Sequence, residues 1–200
     1  MRDVAVRRAR YAGFTITEMM VVVAIVAVIV AVGVPVLTRY MRRAKTAEAQ
    51  QSLNQLAAGA KSYFEAAHTD LSGRPLARQF PASTGAGGYT PQNPCCGSTC
   101  AAGGQCTEDP SAGCDEWDGG PYAFSWHALR FKIAAGHYYQ YSFASAGTGT
   151  DATFTASAKG NLDCDTLSAT WQVTGDVDGA SLRPRSGQPF VVGGSNNELE

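Results

Sequence analysis

The sequence predicts an α+β fold in which one long N-terminal helix packs on a small antiparallel sheet of about four strands, with a disulfide-rich loop between them. Three observations carry this. An uncharged apolar run from Met19 to Leu37 continues into an amphipathic stripe that ends near Ala67. Five of the six cysteines crowd between Cys95 and Cys114. After Trp126 apolar residues recur at every second position, the period of a strand with one buried face.

Composition bounds the function. The 200 residues allow one modest domain plus an anchor. A net charge of −1 gives no overall pull toward nucleic acid, and no direct nucleic-acid partner is predicted. Only 16% of residues are charged and 22 are glycine, which suits a loop-rich extracellular module better than a cytosolic enzyme. No paired acids, nucleophile elbow or phosphate loop stands out, and His68, His127 and His137 are scattered, so the chain is not read as an enzyme.

Residues 1–13 form a short basic leader with Arg2, Arg7, Arg8 and Arg10. The apolar run after it is too long for the core of a cleaved signal peptide and lacks a convincing polar break, so the helix is read as retained. Met19–Leu37 covers roughly 28 Å at 1.5 Å per residue, about the hydrocarbon thickness of a bilayer, and the span is placed at about residues 17–37. The far flank, with Arg39, Arg42, Arg43 and Lys45, is at least as basic as the leader, so charge alone does not orient it. The cysteines do, because they need an oxidising space. A single-pass topology with the C-terminal part outside follows.

Gly13, Phe14 and Glu18, followed by an uninterrupted apolar helix containing Pro35, resemble the N terminus of type IV prepilins and of the related type II secretion pseudopilins. The match covers about residues 7–45. Thr17 departs from it, standing where an aliphatic residue is commoner. The resemblance implies a prepilin peptidase that cuts between Gly13 and Phe14 on the cytoplasmic face and methylates the new Phe14 amine. It further implies that Glu18 pairs with the Phe14 amine of a neighbouring subunit and sets their stagger. Either charge alone would be costly in an apolar core. Glycine at the cut lets a protease approach the backbone closely. The simpler alternative is a single-span anchor whose Glu18 reaches the interface.

The helix is expected over residues 14–67, with Ala49, Leu53, Leu56, Ala60, either Tyr63 or Phe64, and Ala67 on one face. Gly33 and Pro35 weaken it and predict a kink, since Pro35 has no amide to donate. Gly59 lies near the apolar face, where it can let a strand approach. Residues 68–126 are broken by Pro75, Pro81, Pro91, Pro94 and Pro110 and read as an irregular loop region. Cys95, Cys96, Cys100, Cys106, Cys114 and Cys164 are expected as disulfides. With five in the loop and one outside, full pairing requires a long-range bridge to Cys164. A bond between adjacent Cys95 and Cys96 is disfavoured by geometry. Zinc held by Cys96, Cys100, Cys106 and Cys114 is the competing reading, with a spacing that matches no standard module.

Residues 127–200 read as the sheet domain. Its strands are expected at Leu129–Ile133, Tyr139–Phe143, Thr153–Ala158 and Leu167–Val173, with Phe190–Val192 as a further edge strand. Tyr138 points away from Tyr139, to the surface or an interface. Asn161, Asp163 and Asp165, and then Asp176 and Asp178, place oxygen donors at alternate positions as calcium loops do. Thr166 and Gln172 stand where a calcium loop would have glycine and a closing glutamate. Ordinary Asp-rich turns explain the same residues. Some pseudopilins bind calcium in this region, so Ca2+ is the one cofactor considered; otherwise none is expected.

The resemblance implies a structural subunit, major or minor, of a type IV pilus-like filament serving motility, adhesion or DNA uptake. Its partners would be other pilins in a homo- or hetero-polymer, the prepilin peptidase and an inner-membrane assembly platform. It would sit in the bacterial inner membrane with its C-terminal domain in the periplasm, then pass from the lipid bilayer into a pilus or pseudopilus. A type II secretion pseudopilin is the first alternative. A membrane-tethered periplasmic binding domain that never polymerises is the second.

Overall fold

The computed structural model describes residues 13–85, 88–97, 100–102, 104–107, 114, 116–179 and 181–193. The leader arginines and Pro110 lie outside the described residues. The chain divides into two units, Met1–Tyr40 and Met41–Glu200.

Helix α1 spans Ile16–Glu65. Every residue from Gly13 to Tyr40 is exposed. A run this rich in Val and Ile is a modest helix former in water, but in lipid a helix satisfies all of its backbone polar groups internally. In the second unit, Ala49, Ser52, Leu53, Leu56, Ala57, Ala60 and Phe64 are buried at steps of three and four. The helix stops two residues short of Ala67. There the His68 Nε2 lies 2.8 Å from the Tyr63 carbonyl, and its ring stacks on Tyr63 at 4.0 Å. A side chain thus takes over one of the carbonyls that a helix end leaves unpaired.

Two short strands, β1 (Ala101–Ala102) and β2 (Gln105–Cys106), pair within the cysteine loop. Helix α2 is Ala123–Leu129. Strands β3 (Tyr139–Ala146), β4 (Thr153–Gly160) and β5 (Ala169–Asp178) form an antiparallel meander. Strands β6 (Arg183–Ser186) and β7 (Phe190–Gly193) run in line along the outer edge of β5. The register slips by one residue between them: Gly175 faces Ser186, whereas Gln172 faces Phe190. β7 is the expected edge strand. β6 has no apolar alternation and is legible only in the structure.

The face that meets α1 is built in rows. Tyr141, Ala158 and Trp171 lie side by side across β3, β4 and β5, and so do Phe143, Ala156 and Val173. Small residues on the middle strand leave a trough between large ones, and the apolar stripe of α1 joins them in one core. Tyr139 continues the pattern opposite Gly160, where a Cβ would come within 2.6 Å of the Tyr139 ring. The free edge of β3 is covered by the loop: Thr90 and Tyr141 exchange backbone bonds at 2.8 and 2.7 Å, and Thr84 N–H donates to the Phe143 carbonyl at 2.8 Å. Covering an edge in this way removes a template for unwanted pairing.

The strand expected at Leu129–Ile133 is not formed. Leu129 ends α2, Arg130 takes the left-handed conformation with φ 52°, and the Phe131 N–H donates back to the Trp126 carbonyl at 3.0 Å. The Arg130 N–H donates to the His127 carbonyl at 3.1 Å, completing a Schellman cap, and the Trp126 and Phe131 rings meet at 5.8 Å. Leu129 and Phe131 are both buried because they flank that cap, which mimics strand alternation over three residues. Gly59 receives this helix end rather than a strand: a Cβ on it would lie 2.2 Å from the Leu129 carbonyl oxygen.

Candidate processing and assembly site

Gly13, Phe14 and Thr15 precede α1 in an exposed segment outside any helix or strand, with Phe14 78% exposed. Among the described residues, apart from its chain neighbours, no atom lies within 4 Å of where a Gly13 Cβ would stand, so these residues leave the backbone at Gly13–Phe14 open on that side. Thr15 starts the helix. Its N–H donates to Glu18 Oε2 at 2.9 Å, its hydroxyl donates to the same oxygen at 2.7 Å, and the Glu18 N–H points at that hydroxyl at 3.3 Å. This is a capping box, in which the first and fourth residues satisfy each other's orphan amides. It also puts the carboxylate at the positive end of the helix dipole. Thr15-x-x-Glu18 is the sequence spelling of such a box, and it makes Glu18 a cap of its own helix within one chain.

Downstream, the most apolar stretch of the helix is wholly exposed, and the helix is long and apolar enough to cross a membrane. The helix continues through Gly33 and Pro35. Pro35 has no N–H to offer the preceding turn, and the Thr38 hydroxyl donates to the Pro35 carbonyl at 3.0 Å.

In the second unit a polar row on α1, at steps of three, fastens the helix to the sheet domain. Arg42 pairs with Asp163 at 3.0 Å. Lys45 lies 4.1 Å from the centroid of the Tyr138 ring. Glu48 accepts from the Tyr138 N–H at 3.0 Å and from the Tyr141 hydroxyl at 3.2 Å. Burial pushes the Glu48 carboxyl above the usual glutamate range, against these two bonds and the Lys45 charge, which pull it down. Tyr141 is raised by its own burial and then by the Glu48 charge. This row accounts for Tyr138, whose ring serves as a seat for Lys45.

The six cysteines form Cys95–Cys106, Cys96–Cys164 and Cys100–Cys114, with no free cysteine among the described residues. The bridge to Cys164 joins the loop to the turn after β4, and Cys95 and Cys96 take different partners. The zinc alternative is thereby overturned, since its sulfurs are bonded to one another. Among the described residues, the one group of His, Cys, Asp and Glu close enough to share an ion is Cys95, Cys106 and His137, and two of these are the ends of one disulfide.

The calcium candidates are occupied by protein donors. Asn161 and Asp165 bond to each other's polar groups across their turn at 2.8 and 3.3 Å, and Asp165 Oδ1 accepts from the Leu167 N–H at 2.6 Å. Asp163 holds Arg42. Asp176 takes both Nε and a terminal nitrogen of Arg185, at 3.0 and 3.2 Å, and Asp178 accepts from the Ser181 hydroxyl at 2.9 Å. Asp176 and Asp178 stand at the end of β5 rather than in a turn, and their carboxylates and those of Asp163 and Asp165 are not gathered to one point.

No curated protein and no solved structure matches the chain. Residues 8–34 match the family model described as the prokaryotic N-terminal methylation motif. With Gly13 open, Phe14 exposed and Glu18 at the mouth of an apolar helix, the N terminus carries the signature of type IV pilins and pseudopilins.

Proposed function

We propose that the chain is a structural subunit of a type IV pilus-like filament, in motility, adhesion or DNA uptake. It is inserted as a precursor, cut after Gly13 by a prepilin peptidase, methylated on the Phe14 amine and held in the inner membrane with the disulfide-linked domain in the periplasm. An assembly platform then moves it into a polymer with other pilins. The observation that carries this reading is the apolar half of α1, which is exposed along its whole length and lies largely within the matched residues 8–34. Lipid covers such a helix before assembly, and neighbouring helices cover it afterwards. A repeated head-to-tail contact of this kind does not close, so it yields an open filament. No catalysis by the chain itself is part of the proposal.

The mass of the mature protein tests the processing step. Loss of residues 1–13, one added methyl and three disulfides are expected, and an intact N terminus overturns the reading. Glu18→Ala tests the assembly step: filaments are expected to be lost while cleavage continues. Deleting the gene separates a pilus subunit, whose loss abolishes surface filaments, from a secretion pseudopilin, whose loss abolishes export of folded proteins.

A further inference from the structure

A cavity of about 360 Å³ opens between the start of β3, the end of β4 and the cysteine loop. Cys95 and Cys96 stand in its wall, and their bridges to Cys106 and Cys164 tie that wall to β2 and to the turn after β4. The site is therefore largely pre-formed, and a ligand need not order it. Tyr89, Tyr138, Gln140, Lys159 and Ser168 contribute the groups that matter.

Lys159 brings a cation, with its ammonium 5.9 Å from the centroid of the Tyr89 ring. Among the described residues it forms no ion pair, and no carboxylate lines the cavity. Gln140 is 7% exposed and spends its amide N–H groups on the Pro91 and Gln92 carbonyls at 2.7 and 3.3 Å. Its Oε1 is left as an acceptor. The cavity thus holds one unpaired ammonium, two phenol rings, a fixed amide acceptor and a serine hydroxyl.

We infer that this cavity binds an acidic sugar unit, a polyhydroxylated ring bearing one carboxylate. The ammonium of Lys159 would take the carboxylate in a charge-assisted bond. The apolar C–H face of the ring would lie on Tyr89, and its hydroxyls would meet Gln140 and Ser168. An apolar ligand would leave these polar groups unpaired. Nucleic acid is disfavoured, because tracking a phosphate backbone takes several cations, and among the described residues a single lysine lines the cavity, in a chain of net charge −1. The inference does not depend on whether the chain polymerises.

The test is ligand-observed NMR titration of the full chain in detergent micelles with its disulfides intact. The probes are methyl β-glucuronide, methyl β-glucoside and a short thymidine oligonucleotide. The glucuronide is expected to bind at least about tenfold more tightly than the glucoside. Lys159→Gln is expected to abolish that preference and Lys159→Arg to restore it, while Tyr89→Ala weakens both glycosides. Equal binding of the two glycosides, no binding of the glucuronide, an unchanged preference in Lys159→Gln, failure of the Arg rescue, or tighter binding of the oligonucleotide would each overturn the proposal.

Discussion

Thr15 and Glu18 show how much one residue can be asked to do. The Glu18 carboxylate that the proposed filament needs for a neighbour's amine is, within a single chain, bonded to the Thr15 amide and hydroxyl. Intramolecular capping and intermolecular pairing therefore compete for the same oxygen. Removing the threonine hydroxyl by Thr15→Ala should fray the first turn. An N-cap of this type contributes about 1 kcal/mol, so amides of the first turn of α1 should exchange roughly fivefold faster by mass spectrometry, with cleavage after Gly13 unaffected. Glu48 offers a second test, read in pH. Burial raises its pKa in the folded protein. Its contribution is then fully present below the ordinary glutamate range and is lost as pH rises through the raised value. His137, whose pKa burial lowers, has the opposite slope: its contribution is present above the ordinary histidine value and is lost as pH falls through the lowered one. Glu48→Gln keeps an acceptor for Tyr138 and Tyr141 and removes the charge. The variant should therefore gain in melting temperature on the parent from mildly acidic to neutral pH, and the His137 contribution cancels in the difference.

At the scale of elements, close approach outweighs helix propensity. Replacing a mid-helix glycine by alanine ordinarily stabilises by about 1 kcal/mol. At Gly59 the added methyl meets a backbone carbonyl at 2.2 Å, and the Schellman cap that holds that carbonyl cannot shift freely. Overpacking of this kind costs about 1–3 kcal/mol, so net of the propensity gain Gly59→Ala should destabilise by up to about 2 kcal/mol in urea titration. The same neighbourhood explains where reading the sequence stops. α1 was legible because its stripe of Leu53, Leu56, Ala60 and Phe64 holds one period for several turns, and β3 to β5 because each alternates over a full strand length. Leu129–Ile133 offered only three apolar positions, and a helix ending in an αL arginine buries residues two apart just as a strand does. β6, reading Arg183-Pro184-Arg185-Ser186, is held by its ladder to β5 and by the Asp176–Arg185 pair, and neither is visible in a local pattern.

For the whole molecule, the cysteines carry weight that the core alone does not. The processing motif was legible because its residues are adjacent in sequence, whereas the cavity beside Lys159 was not, because Tyr89, Tyr138 and Lys159 meet only through the sheet and the bridges. Opening Cys96–Cys164, which spans 68 residues, should cost about 4 kcal/mol by loop entropy, against about 3 for Cys95–Cys106, which spans 11. Cys96→Ser with Cys164→Ser should accordingly lower the melting temperature more than the pair at 95 and 106, as calorimetry of the two double variants will read. The long bridge also has a mechanical meaning. A chain pulled from its two ends lengthens by roughly 3.4 Å for each residue released, so the sequence separation of 68 between these cysteines withholds about 230 Å of contour from any applied load. With the bridge closed, tension bypasses the segment that contains α2 and strands β3 and β4, passing directly from the loop to the turn before β5. Tyr138, Gln140 and Lys159, which lie inside that segment, are thus shielded from stretching even when the flanking chain, with Tyr89 and Ser168, gives way.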